Sequence, residues 1–445
     1  MTGSNNNQYI GFFTSERETI DASCPELLNA YRDKAFEDFK EKGFPTYKSE
    51  EYKHTDIETL LSSDLGFYLK KEEKYKPEDV FKCSVYNMSS HQHYMVNGWF
   101  YETSTSKGLP NGVFSGSLNV FAEKYPELFT KYYNTQAAEK GDGLSSFNTM
   151  FVQDGYVLYI PKNIIIENPI QLTNIFNSKV NTLINRRILI VLEEGAQAKI
   201  LSCDHTNSLD VIAAKTQVTE IFVGKGATFD FYELEESTQK TIRLSSTFVE
   251  QGASSNIMFN EITLSNGVTR NNTQIDFRGE NAEAHIVGMA IVDKKQRIDN
   301  HTTINHHVPH CLSNELFKYV IDEEALGVFS GKILVAPNAQ KTQSYQTNRN
   351  LLLANESRVY SKPQLEIYAD DVKCSHGMTT GQLDENALFY LRSRGINKEE
   401  ARILMMFAFT DDVIESIRIE TLRERLRMLV EKRFRGETIK CQECI

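Results

Sequence analysis

Cysteine is scarce, with seven residues scattered through 445. That excludes a disulfide scaffold. Long apolar runs are missing as well. The longest aliphatic stretches, such as 188–192, fall far short of the ~20 residues a membrane helix needs. Basic residues are in deficit: 49 Lys and Arg stand against 60 Asp and Glu, a net charge of −11. Contact with phosphate backbones or an anionic bilayer needs the opposite balance, so neither nucleic acid nor membrane is an expected partner. The polar, Asn-rich start at 1–8 has neither a basic n-region nor an apolar h-region, which points to a cytoplasmic, reducing compartment. G-x-x-x-x-G-K-[ST], G-x-G-x-x-G, H-E-x-x-H and G-x-S-x-G are all absent. The chain therefore has no evident equipment for nucleotides, zinc proteolysis or serine hydrolysis, and no catalytic residue is expected.

What is present is an ordinary globular composition, 40% hydrophobic and 24% charged. The chain is long enough for two or three domains of ~150 residues. At the N-terminal end, Ser23 with Glu26 forms an S-x-x-E pattern, Pro25 sits in the first turn, and Leu27, Tyr31, Ala35 and Phe39 recur every four residues. This predicts one helix over 23–42, stopped by Gly43 and Pro45. Shorter helices are expected near 56–62 and 117–132, and strand-like pieces near 81–88 and 94–101. The Gly-containing loop at 139–146 is the expected end of a mixed, helical N-terminal domain, 1–145.

From about 148 to 373 the pattern changes. Alternating, β-branched strings at 156–160, 187–192, 197–201, 216–223, 228–232, 241–249, 256–264, 273–277 and 284–292 follow one another almost without helical period. So many short strands mean a sandwich, a barrel or a solenoid. A recurring corner favours the solenoid. Gly195-Ala196, Gly226-Ala227, Gly252-Ala253 and Asn281-Ala282 each precede a strand, at spacings of 31, 26 and 29. Gly and Asn tolerate the left-handed backbone a tight corner needs. A corner every 25–30 residues or so is one coil of a β-helix. The expected class is mainly β: a parallel β-helix core over 146–378, flanked by helical domains, the second at 379–445.

In that last segment Asp384 caps one expected helix, Asn397 with Glu400 caps a second over 401–409, and Thr410, Asp411 and Asp412 cap a third to about 434. Leu404, Met405, Met406, Phe407, Ala408 and Phe409 are apolar around most of a helix's circumference. Either the helix is simply core, or a partner protein covers its second side; methionine adapts to irregular partner surfaces.

Two constellations could carry chemistry. His301, His306, His307, His310 and Cys311 fall within eleven residues and could hold zinc or iron. On a strand, however, His306 and His307 point to opposite faces, and hydrogen-bonded structural histidines are the plainer alternative. Cys374 and His376 are two apart, so a strand projects thiol and imidazole together, and an imidazolium there would favour the thiolate. The plainer reading of Cys374 is a small buried apolar residue. Cys441 and Cys444 form a C-x-x-C near the end, where nothing is expected to hold them.

The run 362–377, with Lys362-Pro363-Gln364-Leu365-Glu366-Ile367-Tyr368-Ala369-Asp370-Asp371 leading into Cys374-Ser375-His376-Gly377, closely resembles the C-terminal signature of the SufB/SufD family of iron–sulfur cluster assembly proteins. Gly381-Gln382-Leu383-Asp384 and 388–396 continue the match. Asn148-Thr149, Asp299-Asn300-His301 and Ala339-Gln340-Lys341-Thr342 are similar to the family's β-helix coils. Gly43-Phe44-Pro45-Thr46 and Glu50-Glu51-Tyr52-Lys53-His54-Thr55 resemble an N-terminal element in which Tyr52 and His54 replace the usual aromatic residues. Cys-Ser-His-Gly points to the SufD branch, since neither the cysteine-containing run nor the carboxylate-rich segment of SufB-like chains is present. The resemblance implies a right-handed parallel β-helix between helical domains. It also implies a complex with a SufB-like scaffold and a SufC-like ABC ATPase; whether the isolated chain forms a homodimer is left open by the sequence. No tightly bound cofactor is implied, but iron or a cluster would be shared transiently with SufB. The histidine matching His376 would form or admit iron there, with Cys374 as companion. The C-terminal helices would dock on SufC through Leu404, Met405, Met406, Phe407 and Phe409. Most of the His301–Cys311 cluster would be structural. The rival readings are a β-helix enzyme acting on polysaccharide, which lacks a carboxylate pair at working spacing, and a stand-alone metal protein built on His301, His306, His310 and Cys311.

Overall fold

Alternation of side chains builds this molecule: residues one apart point to opposite faces of a strand, and stacked strands bury the same parity coil after coil. The computed structural model describes residues 4–72, 75–77, 85, 88–102 and 108–437. Two sheets run the length of the core. The first orders β4 (Phe114–Ser117), β5 (Tyr156–Ile160), β7 (Thr182–Leu192), β9 (Ala213–Val223), β11 (Thr241–Gln251), β13 (Val268–Phe277), β15 (Arg297–His306), β17 (Leu326–Val335) and β19 (Arg358–Ile367), with β1 (Gly66–Phe67) beside β7. The second orders β3 (Trp99–Tyr101), β2 (His91–Val96), β6 (Ile170–Phe176), β8 (Gln197–Thr206), β10 (Thr228–Glu236), β12 (Asn256–Ser265), β14 (Glu283–Val292), β16 (Leu312–Ile321), β18 (Gln343–Leu352) and β20 (Lys373–Gly381). From β5 and β6 onward the chain alternates between sheets, and neighbours within each sheet are parallel. Register partners lie 31 residues apart at Thr182 and Ala213, 26 apart at Ile242 and Val268, and 32 apart at Leu326 and Arg358. The predicted β-helix is the fold.

The corners are made as expected at three of the four repeats. Gly195, Gly226 and Asn281 have φ of 69°, 64° and 60°. Gly252 does not adopt this conformation; Ser254, two residues later, does, at 56°. Later corners use Lys294, His310, Glu323 and Lys341, which the glycine pattern could not reveal.

Three apolar layers result. The lumen is filled by inward residues of both sheets, among them Ile188, Phe229, Phe259, Ile286, Ile304 and Phe329. Each contributes roughly 1.5–3 kcal/mol on burial. The outer face of the first sheet packs on the N-terminal helices through Leu183, Leu244, Phe39 and Phe147. That of the second packs on the C-terminal helices through Leu234, Ile262, Val413 and Leu426.

Several local expectations change. The single helix over 23–42 is two, Glu26–Asn29 and Arg32–Lys42, with Pro25 at the cap. Ser23 donates to the Leu69 carbonyl instead of capping. Before them lie helices at Ser4–Ser15 and Arg17–Asp21, whose polar sequence had concealed them. The expected loop at 139–146 is largely helix, because Asp142 caps Gly143–Phe151. Of the piece near 81–88, only Val85 and Met88 lie within the described residues, while 94–101 forms the hairpin of β2 and β3. Asp384 and Asn397 do cap their helices. Thr410 does not: its hydroxyl bonds back to Met406 and Phe407 inside one continuous helix, Lys398–Glu415. The last helix, Glu420–Phe434, starts after the break.

Candidate functional site

Register places Cys374 and His376. Ala284, Ser313, Ser344 and Cys374 stack in one lumen-facing column, and Ile286, Glu315, Gln346 and His376 in the next. Below Cys374 a relay of short bonds runs inward: Ser344 and Ser313 hydroxyls at 2.6 Å, then Ser313 and His306 Nε2 at 2.9 Å. Below His376, the Gln346 amide donates to Glu315 Oε2 at 2.6 Å. β20 and β19 end their sheets, so no further coil of the described residues stacks above this thiol and imidazole. His376 is exposed and Cys374 half-buried against the lumen. Burial pushes the Cys374 thiol up, with no charged neighbour opposing it. The imidazolium-assisted thiolate expected from spacing is therefore not the resting form in the single chain.

The same end carries exposed apolar side chains, Met378 on β20 with Tyr360 on β19 and Tyr368 just beyond it. Two long parallel edges lie side by side there, with outward backbone groups unpaired by any described strand. Such edges are templates for pairing.

On the C-terminal helices the apolar run divides. Met406 is buried on the chain's own second sheet, with Phe407 and Phe409 partly covered beside it. Leu404 is 45% exposed and Met405 intermediate. Phe389, at 72%, and Tyr390 stand out from the helix Glu385–Ser393. A cleft of about 510 Å³ lies between Asn397, Ile403, Met406 and Phe434. Lys318 ties this region to β16, donating to the Phe409 carbonyl at 2.7 Å and pairing with Asp412 at 2.6 Å.

The His301–Cys311 cluster does not converge. His301 faces outward and binds Asp299 at 2.8 Å. His306 faces the lumen, stacked on Phe277 at 4.5 Å, and burial lowers it to about 3. His310 takes the left-handed corner. The Cys311 thiol is buried and donates to the Gly279 carbonyl at 3.4 Å. Among the described residues no three His, Cys, Asp or Glu groups stand together as a metal site. Cys441 and Cys444 lie outside the described residues.

A polar groove of about 220 Å³ on the first sheet escaped sequence reading. There Arg270 stacks on Tyr52 at 3.8 Å and binds Asp299 at 2.6 Å, Thr55 also reaches Asp299, and Lys140 binds Asp276 at 2.7 Å. Its members lie up to some 240 residues apart, so no local motif could announce it.

Comparison with known proteins agrees with this geometry. Residues 174–409 match the family described as SUF system FeS cluster assembly, SufBD core domain, and residues 3–172 match the SufBD protein N-terminal region. An iron-sulfur cluster assembly SufBD family protein of Synechocystis is 32% identical over 402 residues, 87% of each chain. The iron-sulfur cluster assembly protein SufD of Escherichia coli is 40% identical over 173 residues, 39% of this chain and 41% of that one. SufD of Bacillus subtilis is 25% identical over 333 residues, 73% of this chain and 74% of that one. With both family regions matched and the β-helix between its helical flanks in place, this chain belongs to the SufBD family of the SUF iron–sulfur cluster assembly system.

Proposed function

We propose that this chain is a scaffold subunit, without chemistry of its own, whose open β-helix end joins a SufB-like scaffold and lets iron or a nascent cluster reach His376. The observation that carries this reading is the position of His376: last in a lumen-facing column, exposed, beside a thiol, on an unpaired edge strand. A neutral imidazole is a good ligand for iron, and iron here is cargo rather than a resident cofactor. A second β-helix meeting the edges of β19 and β20 would continue both sheets and cover Met378 and Tyr368. In the isolated chain a second copy would take that place, giving a homodimer. Exposed Leu404, Phe389 and Tyr390, with half-buried Met405, form the side toward a SufC-like ABC ATPase, while Met406 anchors the same helix to the sheet.

The deciding experiment reconstitutes the three-protein complex and measures cluster yield with His376→Ala. The expected result is an intact complex with yield reduced at least roughly tenfold, as for loss of a metal-site group. An intact complex giving normal yield would remove His376 from the mechanism. Cys374→Ala is expected to lower yield less, because the thiol is held protonated by burial.

A further inference from the structure

The run Glu50-Glu51-Tyr52-Lys53-His54-Thr55 leaves the N-terminal helices and crosses the outer face of the first sheet. Its side chains land on successive coils. The Tyr52 ring lies against the Arg270 guanidinium of β13 at 3.8 Å. The Tyr52 hydroxyl accepts from Asn272 of the same strand at 2.9 Å and donates to Asp142 of the N-terminal domain. Thr55 donates to Asp299 of β15. His54 stacks on Tyr360 of β19, with ring centres 4.3 Å apart and planes 13° from parallel. Glu50 pairs with Lys362, two residues along β19 and on the same outer face. Tyr52 and Thr55 are buried, and His54 is half-buried. The run is therefore rooted in β13 and β15 and reaches past β17 to the last strand of its sheet. That strand needs support. Each coil inside the stack has a neighbour on both sides, whereas β19 has one only among the described residues, and terminal elements open locally more readily than those behind them.

We propose that 50–55 is a brace: through His54 on Tyr360 and Glu50 on Lys362 it ties the N-terminal domain to the last coil and holds the β19 edge in place for a partner strand. That the edge is used for pairing rests on the scaffold reading; that it is braced does not. An edge pairs only while its own strand is in place. Ordering a loose strand at the moment of binding costs affinity, and a strand already held avoids that cost. The two ties are unequal. Glu50 and Lys362 are both open to solvent, and such a pair contributes little. The stacked rings are partly shielded, and a pair of this kind shifts an equilibrium roughly two- to tenfold. His54 is thus a positioning residue: it acts through Tyr360 and β19, not on the cargo.

Hydrogen–deuterium exchange of the purified full chain, read by mass spectrometry on peptides covering β19, tests the brace without a partner. In His54→Ala the exchange of β19 is expected to quicken roughly two- to tenfold while β7 to β13 keep their wild-type rates. His54→Tyr, which keeps a ring over Tyr360, is expected to restore the wild-type rate. Lys362→Met is expected to change it by less than about twofold. Unchanged exchange in His54→Ala, a rise spread equally over all coils, or no rescue by His54→Tyr would each overturn the brace. Capture of a SufB-like scaffold then reads its use. Affinity is expected to fall in His54→Ala by up to the same factor and to recover in His54→Tyr. A loosened β19 with unaltered capture would overturn the edge's use and leave the brace standing. A wild-type chain that captures no such scaffold would instead remove the scaffold reading, and the exchange result would be untouched.

Discussion

Glu220 joins the N-terminal domain to the β-helix. One carboxylate oxygen accepts from the Gln136 and Ala137 amides at 2.9 and 3.1 Å, the other from the Asn134 amide at 2.8 Å and from Arg187 at 2.7 Å. Both charged side chains are fully buried, and Arg187 also lies over the Tyr133 ring. Removing one member of a buried, hydrogen-bonded ion pair strands the other, a loss of about 3–5 kcal/mol. Glu220→Gln is therefore expected to lower the urea unfolding free energy by about that much. A loss below about 1 kcal/mol would mean the pair behaves like a surface one. Nothing local in the sequence marks Glu220, because its amide donors lie more than 80 residues earlier and Arg187 lies 33 residues earlier on β7. His376, by contrast, was legible at once from Cys374-Ser375-His376-Gly377, since a motif contained in one strand needs no tertiary contact to be seen.

Among elements, the helix Lys398–Glu415 shows how one segment can serve two surfaces. Met406 packs in the core beside Val413 and Ile414, while Leu404 faces away. Met406→Ala is expected to destabilise the chain by about 2–5 kcal/mol through the cavity it leaves. Leu404→Ala is expected to stay within about 0.5 kcal/mol of wild type in the same unfolding experiment while weakening capture of a SufC-like ATPase, the partner proposed for that side. Equal destabilisation by both would show that the run is core throughout. The run's apolar circumference was plain in the sequence, but its division was not, because which side meets the sheet depends on Lys318 holding Phe409 and Asp412. Strand ends were underestimated for a related reason. Arg186, Lys215 and Glu235 break the alternation of β7, β9 and β10, yet they point into the lumen. There Arg186 binds Asp204 at 2.8 Å and Arg243 binds Glu233 at 2.9 Å.

For the whole molecule, buried charge fixes how stability depends on pH. Asp204, beside Arg186 and Lys215, and Asp299, beside Arg270, are held well below the usual carboxylate range despite burial. Their contribution is present above the ordinary Asp pKa and is lost as pH falls toward their native values. The buried His93 and His306, lowered to about 4 and about 3, weaken the fold in acid as well, because unfolding lets them take up protons. Glu261 and Glu315 act in the opposite sense. Raised from 4.5 to about 8 and about 7, they keep protons that the unfolded chain releases, so their contribution is full below about 4.5 and is lost as pH rises through their native values. Relative to wild type, E261Q/E315Q is therefore expected to gain stability as pH rises across that window, by at most roughly 3–5 kcal/mol per group. Unfolding free energies measured in steps from pH 4 to 9 check this, and a constant difference would show that the two acids are not protonated in the folded lumen.

The sequence by itself determined the repeating architecture and the motif at its end. Alternation and left-handed corners are properties of neighbouring residues, and a coil stacked on its like needs little more instruction. The tertiary structure alone decided what fills the lumen, which histidines part company, and which side of the C-terminal helix stays free. Those outcomes depend on residues brought together from distant coils, where burial converts an unremarkable glutamate into a proton-holding acid.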